Sequence, residues 1–517
     1  MDDEGGKARP GQSGGGVVSR RSALSWVAGM AGVAALAAAG RATWHLVDRL
    51  RHERALQGVT GGPGASPDEG PASLDDESGL ESTGLARRVE AAAAEVPGEL
   101  RAAASAGLAV CVGGSRHSMG AQTLVDGGLH IDRSRRSSAA LVPQRDGYTV
   151  DAGLTWRQVL SQLAPAGRSV AVMQANNDFT VGGSISVNAH GWQTRRGPVC
   201  GTVRSITLAS ADGEIVRCSR TEEPELFSLA CGGFGLFGVI LDAELESVAD
   251  EAYRVRSRTL RADGYHEAWR ELVGSNAAAA LSYGRLRVSR KSFLREAVLN
   301  VFEATDDASD DPASGPAAER LRDDLVRAVF RGSEGSEYGK RLRWDLELLT
   351  GGESAGPATR NAIMDRSATG FGNLDPTRVD LLHESFVPRH EIGGFIDDLR
   401  RIIPRHDVDL LNITVRDISA DSTAVLNYAR QDVFALVFLF NLPRDPASDR
   451  ALGACVREVI DATLDRGGSY YLPYRPYATR RQLERAYPAL ERFVQARDRY
   501  DPGRRFRSRF ADRYGLG

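Results

Sequence analysis

Cysteine is scarce in this chain: five residues in 517 (Cys111, Cys200, Cys218, Cys231 and Cys455), with no CxxC pair among them. An odd count at scattered spacing argues against a disulfide scaffold and supplies no metal-type cluster. The nine histidines include no HExxH, so no protein-bound metal is expected. Charge of one sign is lacking too. The formal net charge is -3, with acidic and basic residues interspersed, which removes the basic footprint of a nucleic-acid partner. No internal repeat is visible. What remains is ordinary globular composition, 42% hydrophobic and 26% charged, on a chain too long for one small core.

The N-terminus carries Arg20-Arg21 ahead of a run of small and apolar residues from Ala23 to Gly40, about 18 residues. That pattern reads as a twin-arginine-like export signal, or as a membrane anchor that just reaches bilayer length, over residues 1–40. Residues 41–84 read as a disordered linker, because the stretch from Gly58 to Ser82 is too rich in Gly, Pro, Ser, Asp and Glu to bury a core. Globular sequence starts near Leu85, with a helical Ala/Glu/Arg stretch to about Ala104. Short apolar runs then read as strands, namely Leu108–Val112, Leu129–Asp132 and Tyr148–Asp151, with a short helix from Thr155 to Leu163. From about residue 250 to 465, amphipathic helices alternate with strands such as Leu411–Arg416 and Val433–Phe440, interrupted by an acidic insertion at Thr305–Pro316. The final segment, 466–517, ends in Asp501-Pro502-Gly503-Arg504-Arg505-Phe506-Arg507.

Three glycine elements carry the chemistry. The first is Gly113-Gly114-Ser115-Arg116-His117-Ser118, directly after a strand. By itself it fits an ordinary turn or an anion-cradling loop, and it is neither a Walker loop nor a dinucleotide GxGxxG. The second, Thr180-Val181-Gly182-Gly183-Ser184-Ile185-Ser186 continuing to His190-Gly191, lets backbone approach a flat or phosphorylated ligand. The third, Gly232-Gly233-Phe234-Gly235-Leu236-Phe237-Gly238-Val239-Ile240, precedes an apolar strand. Three such elements within about 130 residues point to one large cofactor.

In this order and spacing, the elements resemble the FAD domain of the vanillyl-alcohol oxidase (PCMH-type) superfamily, with similarity to cytokinin dehydrogenases, alditol and aldonolactone oxidases and decaprenylphosphoryl-ribose oxidases. The resemblance implies an α+β fold, with a two-part FAD domain (85–249 completed by 466–517) and a substrate domain (250–465) inserted between the parts. It implies FAD as cofactor, bound by Gly113, Gly114, Ser115, Arg116, His117, Ser118 and Gln122 from the first loop. Thr180, Gly182, Gly183, Ser186 and His190 would serve from the second, with Ile240 at the adenine end and Tyr471 near the flavin. His117 stands where relatives carry a covalent flavin; the alternative is a hydrogen bond to non-covalent FAD. Asn176, Asn177 and Asp178 replace the cysteine of bicovalent relatives, and Cys200 reads as a small apolar residue.

The substrate side departs from each relative. Tyr474 stands where lactone, alditol and ribose oxidases place a lysine, and Ala175 stands at the catalytic aspartate of cytokinin dehydrogenases. Arg416 matches an active-site arginine of alditol oxidases, on a strand whose alternation puts Asn412, Thr414 and Arg416 on one face. The expectation is an oxidase or dehydrogenase taking a hydride from a C–H next to a hydroxyl or amine of a small molecule, with Tyr474 and Arg416 polarising the substrate oxygen. A sugar, alditol or lactone fits the resemblance. The alternative is a flavin-bearing electron carrier or partner-binding protein. Oxygen, a quinone or another protein all remain open as electron acceptor.

Overall fold

The computed structural model describes residues 48–50, 73–136, 140–307, 316–350, 356–367 and 372–516. The export or anchor stretch at 1–40, most of the linker and the core of the acidic insertion lie outside the described residues. No helix among the described residues is long and apolar enough to cross a membrane.

The linker reading ends too late. Ser73–Asp75 and Ser82–Gly84 pair as an antiparallel ribbon, and Leu74 packs with Leu85, Cys111 and Leu124 in a small core of its own. Two buried apolar side chains suffice to order a stretch whose composition alone reads as solvated. The helical reading of residues 85–104 is also corrected at its start. Arg87–Glu90 is a strand, paired in parallel with Leu129–Asp132, and only Val96–Ser105 is helical. Tertiary pairing overrides the helix propensity of the Ala/Glu/Arg composition.

Besides that ribbon, the described N-terminal half holds two larger sheets. A three-stranded parallel sheet runs Arg87–Glu90, Leu129–Asp132, Val110–Gly113, and its central strand is buried at every position, as a parallel sheet requires. An antiparallel sheet is built on Val239–Ala249, flanked by Val203–Ala209 and Gly147–Asp151. Val239 and Leu241 of that long strand pack with Val110, Leu129 and Ile131, so the two sheets share a core. The helix Trp156–Leu163 begins at a capping box of Thr155 and Gln158.

The other large layer is an eight-stranded antiparallel sheet. Its last four strands run Asp409–Ile418, Val433–Pro443, Arg378–Pro388, Ser469–Tyr470. Leu411, Ile413 and Val415 are fully buried on one face, which leaves Asn412, Thr414 and Arg416 on the other. The boundary drawn after residue 465 therefore falls just short of an edge strand of this sheet. The C-terminal segment begins in the eight-stranded sheet and ends in the parallel one, where Val110 donates to the Arg505 carbonyl at 2.7 Å and Arg507 donates to that of Val110 at 2.9 Å.

Asp501 and Arg497 shape that return. The Asp501 carboxylate accepts from the backbone N–H groups of Arg505 and Phe506, both at 2.9 Å. Arg497, with no exposed side-chain surface, donates to Asp501 at 3.0 Å, to the Phe506 carbonyl at 2.6 Å and to the Leu516 carbonyl at 2.8 Å. Removing one partner of a buried ion pair strands the other charge and typically costs about 3–5 kcal/mol. Arg497→Ala is expected to lower the urea midpoint by the equivalent of that amount; an unchanged midpoint would show that the pair does not hold the tail.

Candidate active site

One cavity lies between the glycine loops and the face of the eight-stranded sheet that carries Arg416. Of the residues nominated from sequence, it is lined by Gly114, Ser115, Arg116, His117, Ser118, Gln122, Thr180, Gly182, Gly183, Ser186, His190, Ile240, Arg416, Tyr471 and Tyr474. Gly113 is the exception. It ends its strand facing His130, whose ring would lie 2.7 Å from a Cβ there, so its glycine serves packing behind the loop and not the cavity wall.

The three loops interlock. A Cβ on Gly114 would stand 2.0 Å from Thr180 Oγ1, so the first loop rests directly on the second. Thr180 caps the short helix Val181–Ser186 by accepting from the Gly183 N–H. The third loop folds onto the same helix: Gly232 donates to the Ile185 carbonyl at 3.0 Å and Phe234 to that of Ser186 at 2.9 Å. Gly235, at φ +71°, would meet nothing with an added Cβ, so it leaves open space on the cavity side. Gln122 joins the first loop to the C-terminal segment, accepting from Gly120 N–H and donating to the Leu472 carbonyl, both at 2.9 Å. His117 lies against Phe179, ring centroids 4.3 Å apart, with Nδ1 3.6 Å from Glu77 Oε2.

Sequence reasoning missed the residue at the centre of the opposite wall. Glu384 is fully buried and lines the cavity beside Tyr474 and Arg416. One carboxylate oxygen lies 2.8 Å from His190 Nε2; the other accepts the Tyr474 hydroxyl at 3.4 Å. Burial pushes its carboxyl up, but His190, Arg416 and His383 outweigh that and hold it below the usual carboxylate range. Burial first, and then the Glu384 charge, push the Tyr474 phenol well above its usual range, so it stays a neutral hydroxyl. Tyr474 therefore spends its proton on Glu384, and what it offers the cavity is an oxygen lone pair. The expectation that it donates to the substrate oxygen is revised on this point.

An aromatic shell surrounds His190: Phe386, Tyr428 and Tyr471 have ring centroids 5.6, 5.9 and 5.7 Å from it. Tyr471 donates to the Val187 carbonyl at 2.9 Å and Tyr428 to that of Asn188 at 2.6 Å, holding Asn188 at φ +47°. The strand Arg378–Pro388 carries two carboxylates, Asp380 and Glu384, so a carboxylate in a strand was the available signal and did not by itself single out Glu384. Ala175, at the position of the relatives' aspartate, lines the cavity, and among the described residues no group of three His, Cys, Asp or Glu is placed to hold a metal ion.

Residues 90–219 match the model of the FAD binding domain. The chain is 33% identical over 158 residues to an uncharacterized oxidoreductase in the fasciation locus of Rhodococcoides fascians, covering 30% of this chain and 36% of that one. It is 32% identical over 137 residues to cytokinin dehydrogenase 2 of Arabidopsis thaliana (26% and 27% of the two chains). Similarity to D-arabinono-1,4-lactone oxidase of Yarrowia lipolytica is 31% over 156 residues, 29% of each. The chain thus spans about a third of the length of the curated relatives it matches.

The residues present fit an FAD. Glycine backbone bounds the cavity on one side, and two buried polar atoms with no hydrogen-bond partner among the described residues, Gln174 Nε2 and His190 Nδ1, belong to residues that line it. Gly114→Ala is expected to lower the FAD bound per protein several-fold, because Thr180 must move, and Thr180→Ala in the same chain should recover part of it. Absorbance of the purified proteins measures this. Full FAD in Gly114→Ala would show that the contact between the first two loops does not shape the site.

Proposed function

Residues 90–219 form an FAD-binding domain similar to that of the PCMH-type FAD oxidoreductases, and from it we propose that the protein is an FAD-dependent oxidoreductase acting on a small molecule at a carbon bearing a hydroxyl or amine. The observation that carries this reading is the Glu384–Tyr474–Arg416 group facing the glycine loops across one cavity. Bound FAD supplies the two-electron acceptor for the hydrogen leaving that carbon. The eight-stranded sheet serves as the substrate domain, with Glu384, Tyr474 and Arg416 at its working face. A carrier with no substrate would have no use for an ionised carboxylate beside a guanidinium whose buried Nε has no hydrogen-bond partner among the described residues.

The side chains divide the work. A substrate hydroxyl donates to the Tyr474 oxygen, whose own proton already points at Glu384; a proton leaving the substrate passes along this pair and comes to rest on the Glu384 carboxylate. His190, 2.8 Å away, fixes the carboxylate's position. The aromatic shell excludes water. Tyr474→Phe and Glu384→Gln should each keep FAD content while slowing anaerobic reduction of the bound flavin at least about tenfold, the low end of what a positioned acid or base contributes. The lowered Glu384 carboxyl keeps its accepting form at neutral pH and loses it only as pH falls below the ordinary carboxylate range. The acid limb of the wild-type rate should therefore be absent in Glu384→Gln. Wild-type rates in both variants would remove the pair from the reaction, and failure of any alcohol, lactone, sugar or amine to reduce the flavin would overturn the functional reading.

His117 is the proposed flavin tether. Its ring lines the cavity, and a neutral imidazole nitrogen is a competent nucleophile. Wild-type protein should keep its FAD through acid or SDS denaturation, and His117→Ala should release it. Complete release from the wild type would leave FAD binding intact but exclude the tether.

A further inference from the structure

The cavity wall opposite the glycine loops is polarised in one direction. Asn412 Oδ1 accepts from Arg285 at 3.2 Å and from Arg343 at 3.4 Å, which turns the amide nitrogen toward Thr414 Oγ1, 2.9 Å away. With that lone pair taken, the Thr414 hydroxyl is left to donate. Two residues along the same face, Arg416 is a pure donor, and its Nε is buried with no hydrogen-bond partner among the described residues. Glu384, the nearest acid in the wall, is already engaged by His190 and Tyr474. The wall therefore presents, at one place, a carboxylate whose two oxygens are taken and, at another, a cationic N–H with a hydrogen bond still to make.

The register gives the spacing. Thr414 and Glu384 both pair with Val437, from opposite sides, so they share one row of the sheet with a single apolar side chain between them. Two strand spacings put their backbones about 10 Å apart, and their side chains reach into the same cavity. Arg416 is half-buried with its Nε–H fully enclosed, and such a donor favours a carboxylate as partner, because the charge-assisted bond replaces lost hydration.

We propose that the substrate is a hydroxycarboxylate, its carboxylate held by Arg416 and Thr414 and its hydroxyl by Tyr474 and Glu384. This rests on the functional reading above and names the substrate class for the same site. A neutral polyol of the same skeleton would fill the space and leave the buried Arg416 Nε–H without a charge-assisted bond. In the reaction the O–H proton passes to Glu384, the C–H bond breaks with its electron pair and hydrogen going to the FAD acceptor, and a C=O bond forms, giving an oxo acid.

Matched pairs test this on the FAD-loaded protein: D-gluconate against D-sorbitol and glycerate against glycerol, which share carbon skeletons and differ in the carboxylate. Equilibrium binding by calorimetry should favour the acid at least about tenfold in one of the pairs. Arg416→Met should abolish that preference, Arg416→Lys should restore part of it, and Thr414→Val should reduce it about threefold or more, all at unchanged FAD absorbance. Anaerobic bleaching of the flavin should follow the same preference. Equal or weaker binding of both acids, no binding of either at millimolar concentration, or a preference untouched in Arg416→Met would overturn the proposal. Bleaching by a neutral polyol or lactone without preference for the acid would refute the substrate class alone, whereas a protein that binds no FAD would refute the function beneath it.

Discussion

A carboxylate with no exposed surface cannot stay ionised unless its surroundings compensate it, and at Glu384 that compensation comes from parts of the chain far apart in sequence. His190 follows the second glycine loop, Tyr474 belongs to the C-terminal segment, and Glu384 itself lies in the penultimate strand of the eight-stranded sheet. If any of the three is displaced, a buried charge or a buried polar group loses its partner. The same junction sets the backbone after the second glycine helix, because Tyr471 and Tyr428 tie down the Val187 and Asn188 carbonyls. Asn188 is thereby kept in a left-handed conformation that a non-glycine residue adopts at some cost. The cavity is thus an outcome of charge compensation among three segments as much as of the sheets that frame it.

Much of the cofactor side was legible in the sequence, for a physical reason. Where one segment lies so close to the next that a Cβ has no room, the contact leaves a glycine that can be read directly. Gly114 against the Thr180 side chain and Gly182 against Ala152 are such contacts. The spacing of Asn412, Thr414 and Arg416 was legible because a strand alternates with a period of two. Gly113 shows the limit of the rule, since the residue it makes room for is His130 behind the loop.

Glu384 escaped because its meaning is relational. In the strand Arg378–Pro388, His383 and Glu384 are neighbours that alternation sends to opposite faces, and both are buried. Which of them meets the cavity depends on the pairing with Val433–Pro443 and on where His190 arrives, and neither is encoded locally. Arg87–Glu90 failed for the same reason in milder form, since it is a strand only because Leu129–Asp132 pairs with it; Ser73–Asp75 pairs nearby, with Ser82–Gly84, and was hidden by the polar composition between.

The path of the C-terminal segment has a consequence for biosynthesis. Pro473 and Tyr474 complete the cavity wall, and the segment continues until Phe506 lies beside Val110, in the strand that leads into the first glycine loop. Contacts of such long sequence separation form late, since the whole intervening chain must first be in place. During translation the N-terminal glycine loops emerge long before the residues that close over them, and until Phe506 has left the ribosome the strand at Val110 lacks its neighbour on that side. A nascent chain halted before Phe506 would present an open half-site, its cavity wall without the segment that carries Pro473 and Tyr474 held in place.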